Sequence, residues 1–181
     1  MYSERKPNRG FEAVARVGTK LYGFLQSPLP KETSKDGEFS RIVEVDLETM
    51  KTSAEYFYLF AKGNDKIGDA IALDAKNFLV LEQNGKVGEQ SQKYIYKITL
   101  GESDQMVKKT MIADLKTTPF NNLEKIEGLA LIDNKRLALV YDNDFQIAGK
   151  TNHTTGLTPL NESTNQLLVL EFKESLLDSS L

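Results

Sequence analysis

The chain has no cysteine, no tryptophan, one histidine and five prolines in 181 residues. Without cysteine there are no disulfides and no thiolate metal site. The lone histidine, His153, lies in a polar loop, which excludes His-rich metal centres and argues against a Ser-His-Asp triad. Neither charge sign dominates: 23 basic residues face 26 acidic ones, a net charge of −3. A nucleic-acid partner therefore has no electrostatic basis. No stretch approaches the roughly 18 apolar residues that span a bilayer, so no membrane partner is expected. The first residues, Met1-Tyr-Ser-Glu-Arg-Lys-Pro, contain no apolar segment of the signal-peptide kind, so the chain reads as cytoplasmic if Met1 is the natural start. The remaining composition, 40% hydrophobic and 27% charged, is that of a folded globular chain.

What the sequence does have is a repeated phrase. Glu12-Ala-Val-Ala, Asp69-Ala-Ile-Ala and Glu127-Gly-Leu-Ala each set a carboxylate before a small, apolar run, with starts 57 and 58 residues apart. A fixed period of this size marks a repeat architecture. Short β-rich runs bounded by turn residues follow each phrase. They predict strands at 12–17, 20–26, 40–47 and 55–61, then 69–74, 77–83, 93–100 and 106–115, then 127–132, 136–141 and 166–172. Residues 46–52 read as a polar turn, and 171–181 as a short terminal helix or a frayed tail.

Four antiparallel strands per unit is the layout of a β-propeller blade. The expected fold is all-β, about three such blades with repeats near 10–62, 66–116 and 125–173, forming a partial propeller over 1–174 with a tail at 175–181. A β-sandwich or barrel is the rival arrangement. Closed propellers have 4–8 blades. Three units are therefore read as part of a longer product, as an open propeller, or as half of a six-blade ring made by two chains. Open blade edges also predict self-association.

Strand direction converts the repeat into a site. Glu12, Asp69 and Glu127 open the first strand of each unit, at one end and near the axis. The second strands return to that end at Gln26, at Glu82-Gln83 and at Asp142-Asn143-Asp144, followed by long polar loops at 27–38, 84–92 and 145–165. Carboxylate and amide oxygens without His or Cys suit Ca²⁺. The expected metal ligands are Glu12, Asp69, Glu127, Asp142, Asn143 and Asp144, with Glu127 or Asp69 as base. Arg9, Lys66, Lys125 and Glu82 are the expected substrate contacts. The plainer reading pairs each acid with its neighbouring base, Arg9, Lys66 or Lys125.

Other motifs carry less. Asp142-Asn-Asp-Phe lacks an EF-hand's glycine at the sixth position, where Ile147 stands. Gly85-Lys86 and Gly149-Lys150 lack Walker spacing, and Ser27 is not in a nucleophile elbow. The aromatic run Tyr56-Phe57-Tyr58 with Phe60 reads as blade packing.

Several segments resemble the phytase-like ("esterase-like activity of phytase") family of secreted bacterial β-propellers. They are Gly10-Phe-Glu-Ala-Val-Ala with Leu21-Tyr-Gly-Phe-Leu-Gln-Ser-Pro-Leu, Ile67-Gly-Asp-Ala-Ile-Ala-Leu with Phe78-Leu-Val-Leu-Glu, and Ile126-Glu-Gly-Leu-Ala-Leu leading to Leu139-Val-Tyr-Asp-Asn-Asp-Phe. Gln166-Leu-Leu-Val-Leu-Glu-Phe is similar to the family's closing strand. The match resembles the C-terminal half of the family domain. It implies a propeller, a secreted or periplasmic setting, and calcium-assisted hydrolysis of a small phosphoester. Family members often carry Glu-Arg where this chain has Glu82-Gln83, which removes one expected phosphate-binding cation. The alternative function is a non-catalytic binding or scaffold propeller, or an inactive truncated fragment.

Overall fold

A computed structural model of the chain describes residues 2–143, 149–160 and 164–178. Among the described residues twelve strands form three antiparallel sheets. Blade 1 contains β1 (Phe11–Val17), β2 (Lys20–Leu25), β3 (Thr33–Ser34), β4 (Gly37–Asp46) and β5 (Lys51–Leu59). Its strands pair in the order β1-β2-β4-β5, and the two-residue β3 sits on the edge of β4. Blade 2 runs β6 (Lys66–Ala72), β7 (Asn77–Gln83), β8 (Lys93–Thr99) and β9 (Lys108–Asp114) in sequential order. Blade 3 is β10 (Ile126–Leu131), β11 (Arg136–Tyr141) and β12 (Leu167–Glu171). The first strand of each sheet packs beside the first strand of the next, β1 on β6 and β6 on β10. This is a run of propeller blades, and its sheets do not close into a barrel. No helix among the described residues is long and apolar enough to cross a membrane.

The expected strands form, with shifted ends. β5 begins at Lys51 rather than at 55 because the turn before it is tighter than the polar 46–52 run suggests. Asp46 Oδ1 accepts from the backbone N–H groups of Glu48 and Thr49, at 3.0 and 2.9 Å, and Met50 takes a positive φ of 54°. An Asx-turn of this kind reverses the chain in few residues. Among the described residues the C-terminal segment forms no helix, and up to residue 178 it is not a frayed tail. Leu176 is buried, its N–H donates to Asn134 O at 2.7 Å, and Lys97 Nζ donates to the carbonyls of Leu176 and Asp178.

Alternation gives each blade two apolar faces. Ala13, Ala15, Tyr22 and Phe24 of blade 1 pack against Ala70, Phe78 and Val80 of blade 2. Leu79 and Leu81, on the opposite face of blade 2, pack against Leu129, Leu137 and Leu139 of blade 3. Small side chains near the axis, Ala13, Ala15 and Ala70, let the inner strands approach.

One polar group is buried inside the first seam. Glu82, fully inaccessible, accepts from Tyr58 Oη at 2.7 Å, Asn64 Nδ2 at 2.8 Å and Ala61 N–H at 3.0 Å. It also pairs with Lys109, whose ammonium lies 4.3 Å from the Tyr58 ring centre and 3.8 Å from that of Tyr96. Burial pushes the Lys109 ammonium below its ordinary pKa, against the pull of Glu82. A buried carboxylate is tolerated when its lone pairs are satisfied in this way.

Candidate functional site

Each first strand opens with the same irregularity. Pairing steps from Phe11↔Leu25 to Ala13↔Phe24, from Ile67↔Glu82 to Asp69↔Leu81, and from Ile126↔Tyr141 to Gly128↔Val140. An extra residue therefore bulges from the first strand at Glu12, Gly68 and Glu127. Bulges re-aim side chains and are common beside sites. Here they aim Glu12 and Glu127 toward the mouth. They also revise the repeat: the structural equivalent of the two glutamates is Gly68, and Asp69 stands one position further along.

That single-residue difference sends Asp69 elsewhere. Its carboxylate accepts from Leu129 N–H of blade 3 at 2.7 Å and from Ala70 N–H at 2.8 Å. It is a clasp between two inner strands, and partial burial raises its pKa against those two hydrogen bonds. Gln83 makes a second clasp, donating to Ile126 O at 2.8 Å and accepting from Ile126 N–H at 3.1 Å. Gly68 is required between them. A Cβ there would lie 2.4 Å from Ile126 O and 2.7 Å from Gln83 Nε2.

The mouth is a cleft of about 360 Å³ that gathers three cations, Arg9, Lys66 and Lys125, and three carboxylates, Glu12, Glu127 and Asp142. Asn8 and Gln26 complete its wall. Arg9 is held in place: its Nη1 donates to Ser27 Oγ at 2.8 Å and meets Asp65 Oδ2 at 3.4 Å, while Ser27 Oγ donates to Asp65 O at 2.6 Å. Lys66, the first residue of β6, extends over Gly85, where a Cβ would stand 2.5 Å from its Nζ. Gly85 has a positive φ of 64° and no side chain, which serves both the turn and the lysine. Glu127 keeps contact with solvent, yet its pKa is raised. Loss of hydration is the main cause, the charges of Asp142 and Glu12 add to it, and Lys125 and Lys66 oppose it. A shallower depression of about 300 Å³ adjoins it, lined by Glu127, Gly128, Val140, Asp142 and Asn143 among others.

Of the residues expected at the site, the structure brings together Arg9, Glu12, Lys66, Lys125, Glu127 and Asp142, with Asn143 at the adjoining depression. Asp69 and Glu82 are elsewhere. The bulge register turns Asp69 into the blade clasp, and Glu82 points into the first seam and does not line the cleft. Asp144 lies outside the described residues. Sequence reasoning did not select Ser27 and Asp65, which position Arg9, or Asn8. No local motif marks them, because their roles depend on the link between blades 1 and 2.

Among the described residues no three His, Asp or Glu side chains converge as a metal-binding group. The donor set explains why. Arg9, Lys66 and Lys125 line the same cleft as Glu12, Glu127 and Asp142, so the acids face ammonium and guanidinium groups as well as one another. A calcium cage needs six to eight oxygen ligands with little cationic competition. The described residues do not fit a calcium ion.

Fold and cleft together define an all-β protein of consecutive propeller blades with a polar, charge-compensated mouth. The family model for phytase-like proteins, described as esterase-like activity of phytase, matches residues 2–145, and the chain belongs to that family. The matched span covers blades 1 and 2 and the first two strands of blade 3, while β12 lies beyond it. No curated protein matches the chain.

Proposed function

We propose that the mouth cleft binds a small phosphoester and that Glu127 transfers a proton during its hydrolysis. The observation that carries this reading is the placement of a carboxylate with a raised pKa among three cations in one cleft. Guanidinium and ammonium groups are the usual partners of phosphate oxygens. Arg9, fixed by Ser27 and Asp65, would orient the ester, and Lys66 and Lys125 would offset charge developing on its oxygens. Glu127 would take the proton of an attacking water as the new P–O bond forms. The bond to the departing alcohol breaks, and the proton passes to that alcohol. A proton-transfer group works best with a pKa near the operating pH, so an upward shift of a glutamate is in the useful direction.

Hydrolysis of an aryl phosphate and an aryl carboxylate ester, followed by absorbance, tests the proposal. Glu127→Gln should lower kcat by about 10²–10⁴-fold with the fold intact. Arg9→Met should chiefly raise KM. An acid limb of kcat/KM lying above the ordinary glutamate range is expected, and the Gln variant should lack it. Full activity in Glu127→Gln would refute the catalytic role.

A binding role without turnover is the second reading. It is favoured by Arg9, which already directs Nη1 to Ser27 and Asp65. It expects phosphate to bind in calorimetry while neither ester is hydrolysed.

A further inference from the structure

Three residues occupy one position in the three blades. The pairs Phe11↔Leu25, Ile67↔Glu82 and Ile126↔Tyr141 are equivalent, so the residues that follow Leu25, Glu82 and Tyr141 are equivalent too: Gln26, Gln83 and Asp142. Two of them are glutamines, and the fold uses them differently. Between blades 2 and 3 the seam is closed by a side chain, Gln83 Oε1 accepting from Ile126 N–H at 3.1 Å and Nε2 donating to Ile126 O at 2.8 Å. Between blades 1 and 2 it is closed by backbone, Gln26 O accepting from Ile67 N–H at 2.8 Å.

The bulge residue explains the difference. Gly68 leaves the Gln83 carboxamide room to cross to the next blade, since a Cβ there would lie 2.7 Å from Nε2. In blade 1 the bulge residue is Glu12, whose side chain stands where blade 2 has none. The Gln26 carboxamide bonds to no described residue, and it lines the mouth cleft with donor and acceptor both unspent. Its backbone fixes where it stands. Gln26 N–H donates at 2.8 Å to the carbonyl of Gly10, the residue after Arg9, and Gln26 O holds Ile67, the residue after Lys66. Ser27, the next residue along, takes the Arg9 guanidinium. Gln26 is therefore pinned between the two strand starts that carry Arg9 and Lys66, and all three line one cleft. Asp142, the third equivalent, is a carboxylate and offers an anion no such donor.

We propose that Gln26 is a ligand-contacting residue of the mouth, its Nε2 donating to an oxygen of the phosphate group that Arg9 and Lys66 hold. The inference rests on the phosphoester reading of the cleft and adds a contact to it. The two cations supply attraction. A carboxamide donates along fixed N–H directions, so it sets the rotation of the phosphate between them. A hydrogen bond onto a charged oxygen is also stronger than one between neutral groups.

Titration calorimetry of the full chain with inorganic phosphate tests this. Gln26→Leu should weaken binding about 10- to 100-fold, the worth of a hydrogen bond to a charged group. Its urea midpoint should equal that of the wild type, because the lost carboxamide bonds nothing in the protein. Gln26→Glu keeps the shape but sets a like charge against the anion, and should bind more weakly still. The salt dependence of binding should be unchanged in Gln26→Leu and shallower in Lys66→Met, since only the lysine carries charge. Unchanged affinity in Gln26→Leu, with the wild type binding phosphate, would overturn the role of Gln26 and leave the reading of the cleft standing. A wild type that binds no phosphate would overturn both. A urea midpoint that falls in Gln26→Leu would overturn the proposal by making the side chain part of the seam.

Discussion

Replacing Glu82 separates a structural carboxylate from a functional one. Its side chain satisfies Tyr58, Asn64 and the Ala61 N–H and neutralises Lys109, all in the seam between blades 1 and 2. Glu82→Ala leaves the Lys109 ammonium buried without its counter-charge, which typically costs about 3–5 kcal/mol. Tyr58 Oη and Asn64 Nδ2 also lose an acceptor, although water entering the vacated space would recover part of that loss. We expect a net destabilisation of about 4 kcal/mol. For a chain of this size that is a fall in Tm of about 8–16 °C. Glu82→Gln keeps the shape but turns an NH₂ group toward donors, and should cost about 3 kcal/mol. Lys109→Met removes the cation but leaves three donors on the carboxylate, so about 2 kcal/mol is expected. If the pair is one unit, the double variant Glu82→Gln/Lys109→Met should be less destabilised than the sum of the singles by about 2 kcal/mol. Urea denaturation followed by far-ultraviolet circular dichroism gives all four values. A loss below about 1 kcal/mol in Glu82→Ala, or strict additivity in the cycle, would refute the reasoning. So would a Glu82→Gln protein of unchanged Tm but altered phosphate affinity, because Glu82 would then face the ligand.

Gly68→Ala should destabilise by about 3 kcal/mol or more in the same assay, since the new methyl would meet the backbone carbonyl of Ile126; an unchanged midpoint would contradict the bulge register. Lys93 is buried, donates to Lys86 O at 2.6 Å and Ser91 Oγ at 2.7 Å, and burial lowers its pKa to about 8. Its charged form is thus disfavoured by folding, and the unfolded chain binds more protons between about 8 and the ordinary lysine value of about 10.4. Wild-type stability relative to Lys93→Met should rise as pH increases through that window, measured by denaturation at pH 8, 9 and 10, and a flat difference would refute the assignment. Calcium at about 1 mM should leave Tm unchanged, because cations share the cleft with the acids; a rise abolished by Glu127→Gln would show that a cation site forms there after all.

Blade order and strand identity were legible because they follow from local, repeated information. β7 and β11 emerge with the bounds the sequence suggests, 77–83 and 136–141, since each is a nearly continuous apolar run closed by turn residues. The candidate site was legible in its three cations and in its three acids, Glu12, Glu127 and Asp142. Arg9, Lys66 and Lys125 stand just before or at the start of an inner strand, and any correct strand direction brings them to the same mouth. What the repeat concealed was a difference of one residue. Matching the carboxylates aligns Asp69 with Glu12 and Glu127. Matching the apolar residues Phe11, Ile67 and Ile126 instead aligns Gly68 with them, and this is the register the bulges adopt. Because side chains alternate along a strand, that slip of one moves Asp69 from the mouth to the neighbouring blade. The apolar match is the sounder guide: burial of Ile67 and Ile126 is fixed by the cores, whereas an acid is free to drift by one position and take up a new partner. Glu82 could not be placed by any such rule. It follows β7's apolar residues and is drawn inward by Tyr58 and Asn64, at the end of blade 1 and in the link after it, and by Lys109 on β9, which meet only when blades 1 and 2 pack.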